Sequence, residues 1–372
     1  MLSKIRKNVS NCIGWSTKRK LVVLESDDWG SIRTRSKADY DAMLSQKIAI
    51  DHSNFTRNDC LESNTDLERL FDVLSQNKDS KGANAVFTPM SVVANPNFER
   101  IENSNFEQYY YEPFTETCLR YTNHDRVHDL WLEGIANKLF VPQFHGREHL
   151  NPQRWMRGLK ANDIGLQILF KHQSIGATRY NNLPISEHLA AFDPESETDI
   201  PYYSSVISTG LSLFEELCGY KAQYFVASNS PEPKSLEKDL KENGIEYLTR
   251  YKLQKYPLGD NKYEKEINWV GKKNQLGQII ITRNCGFEPS DTSKMDWVNS
   301  CLADIKNAFY WNKPAVISTH RVNYISGIFE SNGTKGLQEL DKLLKLIKKN
   351  WPEVEFITSE ELGNIIKKSK SA

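Results

Sequence analysis

His145-Gly146-Arg147-Glu148-His149 is the stretch on which the fold turns. Two imidazoles four positions apart can meet one metal ion from a helix face or from a tight loop, and imidazole is a common zinc ligand. The flanking residues favour the loop. Leu139-Phe140-Val141-Pro142-Gln143-Phe144 reads as a short apolar strand, and Gly146 would weaken a helix interior. Asn151-Pro152 then supplies an N-cap and a first-turn proline for the next helix. The histidines therefore lie between a strand and a helix, at the kind of strand end where ligands collect in α/β proteins.

Working outward, apolar runs alternate with helical patterns along the whole chain. Strands are predicted at Leu21-Val22-Val23-Leu24, Ala85 to Thr88, Ala222 to Ala227, Ile245 to Leu248, Gln278 to Thr282, Ala315 to His320 and Val354 to Ile357. Helices are predicted near Lys37 to Gln46, Asp66 to Gln76, Pro152 to Lys160, Tyr203 to Cys218, Lys294 to Phe309 and from Ser359. Strands alternating with helices argue for parallel pairing and for an α/β fold of the (β/α) barrel type, distorted and with seven or eight strands. The chain reads as one catalytic domain over residues 1–372, with an irregular aromatic insertion at about 91–124 that covers a sheet edge or walls a cleft.

The polar residues of interest fall at the predicted strand ends: Asp27-Asp28, His145 and His149, Ser228-Asn229, Arg283-Asn284 and His320. In a parallel barrel these ends share one rim. Adjacent carboxylates such as Asp27 and Asp28 repel each other unless a cation or a donor lies between them. His124 and His128 are also four apart, but Val127, Leu130, Trp131 and Ile135 give that stretch an amphipathic helix, which the two histidines cap or line.

Composition narrows the function classes. The 372 residues hold 48 Lys+Arg and 48 Asp+Glu, so there is no net charge to recruit nucleic acid or an acidic membrane. Six scattered cysteines have no paired spacing, which argues against a disulfide framework or a cysteine zinc site. The start, Met1 to Val9, is basic without a signal peptide's apolar stretch, and no run is long enough to span a bilayer. These features predict a cytoplasmic protein. Its 16 tyrosines, 16 phenylalanines and 8 tryptophans offer platforms of the kind sugar rings stack on.

The ordered set of motifs resembles the polysaccharide deacetylases, carbohydrate esterase family four. That family opens with an Asp-Asp pair after its first strand, continues with a His-x-x-x-His loop and closes with a strand ending in Leu-x-His or a variant. Here these look like Asp27-Asp28, His145 to His149 and Ile317-Ser318-Thr319-His320. The resemblance implies a metal-dependent hydrolase that removes an acetyl group from an N-acetylated or O-acetylated sugar or glycan precursor. It implies Asp28, His145 and His149 as ligands of a divalent metal, most often Zn2+, with Asp27 as general base and His320 as general acid. Trp29, Asn229, Asn284 and Arg147 are expected to contact substrate. The chain departs from the family in Trp29-Gly30 after the aspartates and in lacking a third motif near Phe225 to Pro233. Arg283 is expected to supply the missing cation for Asp27, and Asp291 or Glu288 to orient His320.

Three rivals use parts of the same evidence. His-x-x-Glu-His is an inverted zinc-protease signature, with Glu148 as base and Glu215 or Glu216 as third ligand, and it needs both histidines on one helix. A glycoside hydrolase would use Asp27 and Asp28 as acid and base but leaves the histidines idle. A carbohydrate-binding protein that has lost catalysis would retain metal without hydrolysis.

Overall fold

In a computed structural model the chain is described over residues 11–291, 293 and 295–369. The basic stretch from Met1 to Val9 and residue Lys294, where a helix was expected to start, lie outside the described residues. That helix runs Trp297–Tyr310.

The framework is a parallel sheet: β1 (Leu21–Trp29), β2 (Phe87–Val92), β3 (Gln143–Gly146), β4 (Tyr224–Phe225), β5 (Tyr247–Thr249), β6 (Ile279–Ile281), β7 (Cys285–Gly286) and β8 (Ala315–His320), with β9 (Glu355–Phe356). Its order is β6-β5-β4-β3-β2-β1-β8-β7, and β9 pairs with the start of β1. The two outermost members of that order are consecutive in the chain. β6 pairs with β5, and after Thr282-Arg283-Asn284 the same run, still in the same direction, pairs with β8 as β7. The Arg250 amide donates to Ile281 O at 3.1 Å on one side, and the Asn284 amide to Val316 O at 3.1 Å on the other. Residues 279–286 thus form one stave that changes neighbours halfway, and the ring closes as a distorted barrel of seven staves. The expected (β/α) barrel is the fold observed.

The two-residue period of β1 sorts its side chains. Val22 and Leu24 face outward into the cluster shared with the surrounding helices, while Leu21 and Val23 face inward with Tyr224, Tyr247, Ile279, Ile281 and Val316. Leu362 and Ile366 of the last helix, Ser359–Ser369, join that interior cluster and plug the base of the barrel. Gly363 permits the approach: a Cβ there would come within 2.6 Å of the Tyr247 ring.

The segment 91–124 is ordered rather than irregular. It holds a short antiparallel hairpin, Ala94–Pro96 with Tyr111–Pro113, and two short helices, Phe98–Asn103 and Phe114–Cys118. Part of it joins a second apolar cluster, in which Phe98 and Ile101 pack with Ile32, Tyr40, Trp155, Leu166 and others from segments that follow β1 and β3. The hairpin Leu253–Gly259 with Lys262–Ile267 was not predicted; its second strand is almost wholly exposed and has no apolar face to read.

Candidate metal centre and active site

Alternation along β1 would send Asp27 and Asp28 to opposite faces. A register shift against β2 between Ser26 and Trp29, together with the left-handed backbone of Asp28 (φ 79°), breaks the alternation. Aspartate is among the few residues besides glycine that enter this conformation readily. Both carboxylates consequently line one cavity of about 840 Å³, shared with His145, His149, Asn229, Arg283 and His320.

Residues 145–149 are the end of β3 and a loop, with Gly146 at φ 129°, a conformation that a side chain would strain. His145 and His149 turn their Nε2 atoms toward Asp28 Oδ1, at 3.5 and 3.0 Å. His145 Nδ1 lies 2.8 Å from the carbonyl of Val226, a bond that fixes the ring with Nε2 toward the carboxylate. Burial, aided by the Arg33 cation, lowers the His149 pKa to about 4, so this ring is neutral at pH 7. Burial alone would raise the Asp28 pKa, but His149 and Arg33 outweigh it and hold the carboxyl well below its usual range.

These three residues offer ligand atoms within 4.8 Å of one another. Tetrahedral bonds of roughly 2.0–2.1 Å would set ligand atoms about 3.3 Å apart, close to the observed spacings. Two imidazoles and a carboxylate fit zinc, and would also accept cobalt, nickel or iron.

Asp27 and His320 flank this cluster. Arg283 grips Asp27 with two bonds of 2.6 Å and donates through Nε to Glu25 at 2.6 Å. Burial pushes the Asp27 pKa up, but the Arg283 guanidinium prevails and keeps it below the ordinary value. Glu25 is fully buried inside the barrel, where Tyr224 Oη and Ser359 Oγ also donate to it. His320 Nε2 lies 3.7 Å from Asp27, and its Nδ1 meets Glu288 Oε1 at 2.7 Å. Burial opposes the imidazolium, yet Glu288 and Asp27 raise the His320 pKa to about 9. Asn323 steadies Glu288 with a 2.7 Å bond to its other oxygen. Glu288 rather than Asp291 meets His320; the Asp291 carboxylate accepts from the Ser293 amide and hydroxyl.

Of the four residues expected to meet substrate, Trp29 and Arg147 lie outside the cavity, and Asn229 and Asn284 line it. Trp29 is fully buried, donates to Ser26 and packs edge-on against Phe140 in the outer core. Arg147 is buried in a two-bond pair with Glu148 under the Tyr111 ring, outside the cavity. Asn284 borders the cavity, but its amide is committed to the backbone of Pro314 and Val316 across the stave that changes partners. Asn229 lines the cavity in a left-handed turn. No residue of 91–124 lines it. Sequence reasoning missed Arg33 and Asp59, two cavity residues in a stretch that reads as polar loop.

The protease arrangement fails on geometry. Its two histidines are not helical, Glu148 is locked to Arg147, and Glu215 and Glu216 are exposed on the helix Ile200–Cys218. His124 and His128 bond backbone carbonyls of Thr122, Leu61 and Leu217. No helix among the described residues is long and apolar enough to cross a membrane.

No protein-family model matches the sequence, and no curated protein matches it significantly. Among solved structures, the chain is similar to a protein described as a polysaccharide deacetylase from Mycobacterium smegmatis, at 10% identity over 96% of this chain and 94% of that one, with a TM-score of 0.44. It is similar to another so described from Pseudomonas aeruginosa PAO1, at 9% identity, covering 93% and 91%, TM-score 0.45. An allantoinase gives 10% identity, 94% and 91% coverage, and 0.44. At these identities and scores the likenesses fix no residue's role.

Proposed function

We propose that the protein is a metal-dependent deacetylase acting on an acetylated sugar or glycan precursor. One observation carries the reading. Asp28, His145 and His149 converge within 4.8 Å, and a base and an acid with opposed protonation preferences stand beside them in one cavity. When bound, a divalent cation supplies Lewis acidity, making water more acidic and polarising a carbonyl.

The chain's own residues divide the remaining work. Asp27, held ionised by Arg283, accepts the proton of the attacking water. Arg283 spans Asp27 and Glu25 and so fixes the direction in which that carboxylate points. His320, held protonated by Glu288, donates to the leaving amine or alcohol. Two titratable groups whose surroundings push their affinities for protons apart form an acid/base pair. A glycoside hydrolase gives the ligand cluster no role, whereas the deacetylase uses every group.

The test is elemental analysis of wild type and His149→Ala after dialysis against trace zinc, alongside acetate release from N-acetylglucosamine oligomers and from acetylated xylan. About one ion per chain, lost in the variant, with acetate released only by wild type, supports the reading. Metal retained without release from any acetylated sugar would favour a binding protein that does not catalyse.

A further inference from the structure

Among the described residues, every buried side-chain polar atom that belongs to a cavity-lining residue and lacks a hydrogen-bond partner is a nitrogen: Arg33 Nη1, His149 Nδ1, Arg250 Nε and Nη2, and Trp297 Nε1. The arginine and indole nitrogens among them are donors, and donors left unanswered beside a cavity suit a ligand rich in acceptors. Not all of them are available. His149 belongs to the ligand cluster, and Arg250 Nη2 lies 2.7 Å from Glu232 in an ion pair.

Arg33 differs. It is 7% exposed, its Nε donates to Asp59 at 3.1 Å, its Nη2 lies 3.5 Å from Asp28 Oδ2, and its Nη1 has no acceptor. Neither carboxylate is its own. Asp59 also takes two bonds from Arg321, at 3.2 and 2.9 Å, and Asp28 belongs to the ligand cluster. A buried guanidinium with a shared counter-charge and an idle N–H is costly unless something answers it. Guanidinium groups match the paired oxygens of carboxylate and phosphate.

We infer that Arg33 receives an oxyanion of the substrate, so that the site is built for an acetylated sugar carrying a carboxylate or a phosphate. The 3.5 Å separation from Asp28 puts this contact beside the ligand cluster, so the charge belongs on the acylated ring or on its immediate neighbour. The inference rests on the deacetylase reading and narrows its substrate class.

The experiment uses the full chain loaded with zinc and three probes: N-acetylglucosamine, its uronic acid and its 6-phosphate. Acetate release and calorimetric binding are measured for wild type, Arg33→Met and Arg33→Lys. The expected result is a preference for one anionic probe over the neutral sugar of about tenfold or more in kcat/KM. It should collapse toward unity in Arg33→Met and survive in part in Arg33→Lys; the preferred probe tells carboxylate from phosphate. Equal turnover of neutral and anionic probes by wild type, or a preference that persists in Arg33→Met, overturns the inference and leaves the deacetylase standing. Binding of an anionic probe that weakens tenfold in Arg33→Met, with no acetate released from any probe, keeps the anion site and removes the deacetylase. Failure of wild type to bind either anionic probe overturns it as well. Should Arg33→Met not fold, the wild-type comparison and its weakening with added salt decide.

Discussion

At neutral pH the His320 imidazole carries a proton because Glu288, at 2.7 Å, and Asp27, at 3.7 Å, outweigh the burial that would discharge it. The sign of its pH dependence follows. The folded pKa, about 9, is above the free value, so the stabilisation from this charge is complete below about pH 6.5 and disappears as pH rises through about 9. If His320 is the general acid, activity falls over that same alkaline limb. In metal-free protein, an NMR titration should place the His320 midpoint near 9, and Glu288→Gln should move it down by a unit or more; an unmoved midpoint would contradict the pairing. Residue type and spacing were enough to single out Asp27, Asp28, His145, His149 and His320. They were not enough for Arg33 or Glu25, because a lone charge in a loop or at a strand's end has no periodic signature. The same limit misplaced Trp29, where an aromatic beside two aspartates is a core residue turned outward by the bulge.

Among the elements, the stave of residues 279–286 carries the most consequence for the least sequence signal. Its first half, Ile279–Ile281, announces itself as an apolar run, while Cys285–Gly286 is too short to be read as a strand. What joins the halves to β8 is partly a side chain: Asn284 donates to Pro314 O and accepts from the Val316 amide, both at 2.9 Å. Asn284→Ala strands that buried amide and should lower stability by about 1–3 kcal/mol. Asn284→Asp keeps the acceptor for Val316 but sets a carboxylate against Pro314 O, so it should not restore that stability. Urea melts of the two variants check this; a loss below about 0.5 kcal/mol in Asn284→Ala would mean that the side chain does not hold the seam. The alternation of strand and helix was legible because each buried strand is a dense apolar run. Boundaries were less so, since β2 and β4 stop beside buried apolar residues, Val93 and Val226, that a hydrophobic pattern would keep in the strand.

For the molecule as a whole, the base of the barrel and the rim that holds the cavity are joined by one internal file of side chains. Leu362 and Ile366 fill the bottom, Ser359 at the head of the same helix donates to Glu25 at 2.8 Å, and Glu25 holds Arg283, which holds Asp27. Leu362→Ala should cost about 2–5 kcal/mol, as expected for a fully buried leucine. A thermal melt checks it, and a loss below 1 kcal/mol would show that the last helix is not a plug. This file also sets a schedule. Arg283 lies 256 positions after Asp27, and a ribosome adding about 5–20 residues per second needs on the order of tens of seconds to make that stretch. Throughout that interval Asp27 lacks the guanidinium that answers it in the folded protein, while Asp28 already has Arg33 close by in sequence, so the Asp27 side of the cavity rim is among the last parts of the protein that can be assembled.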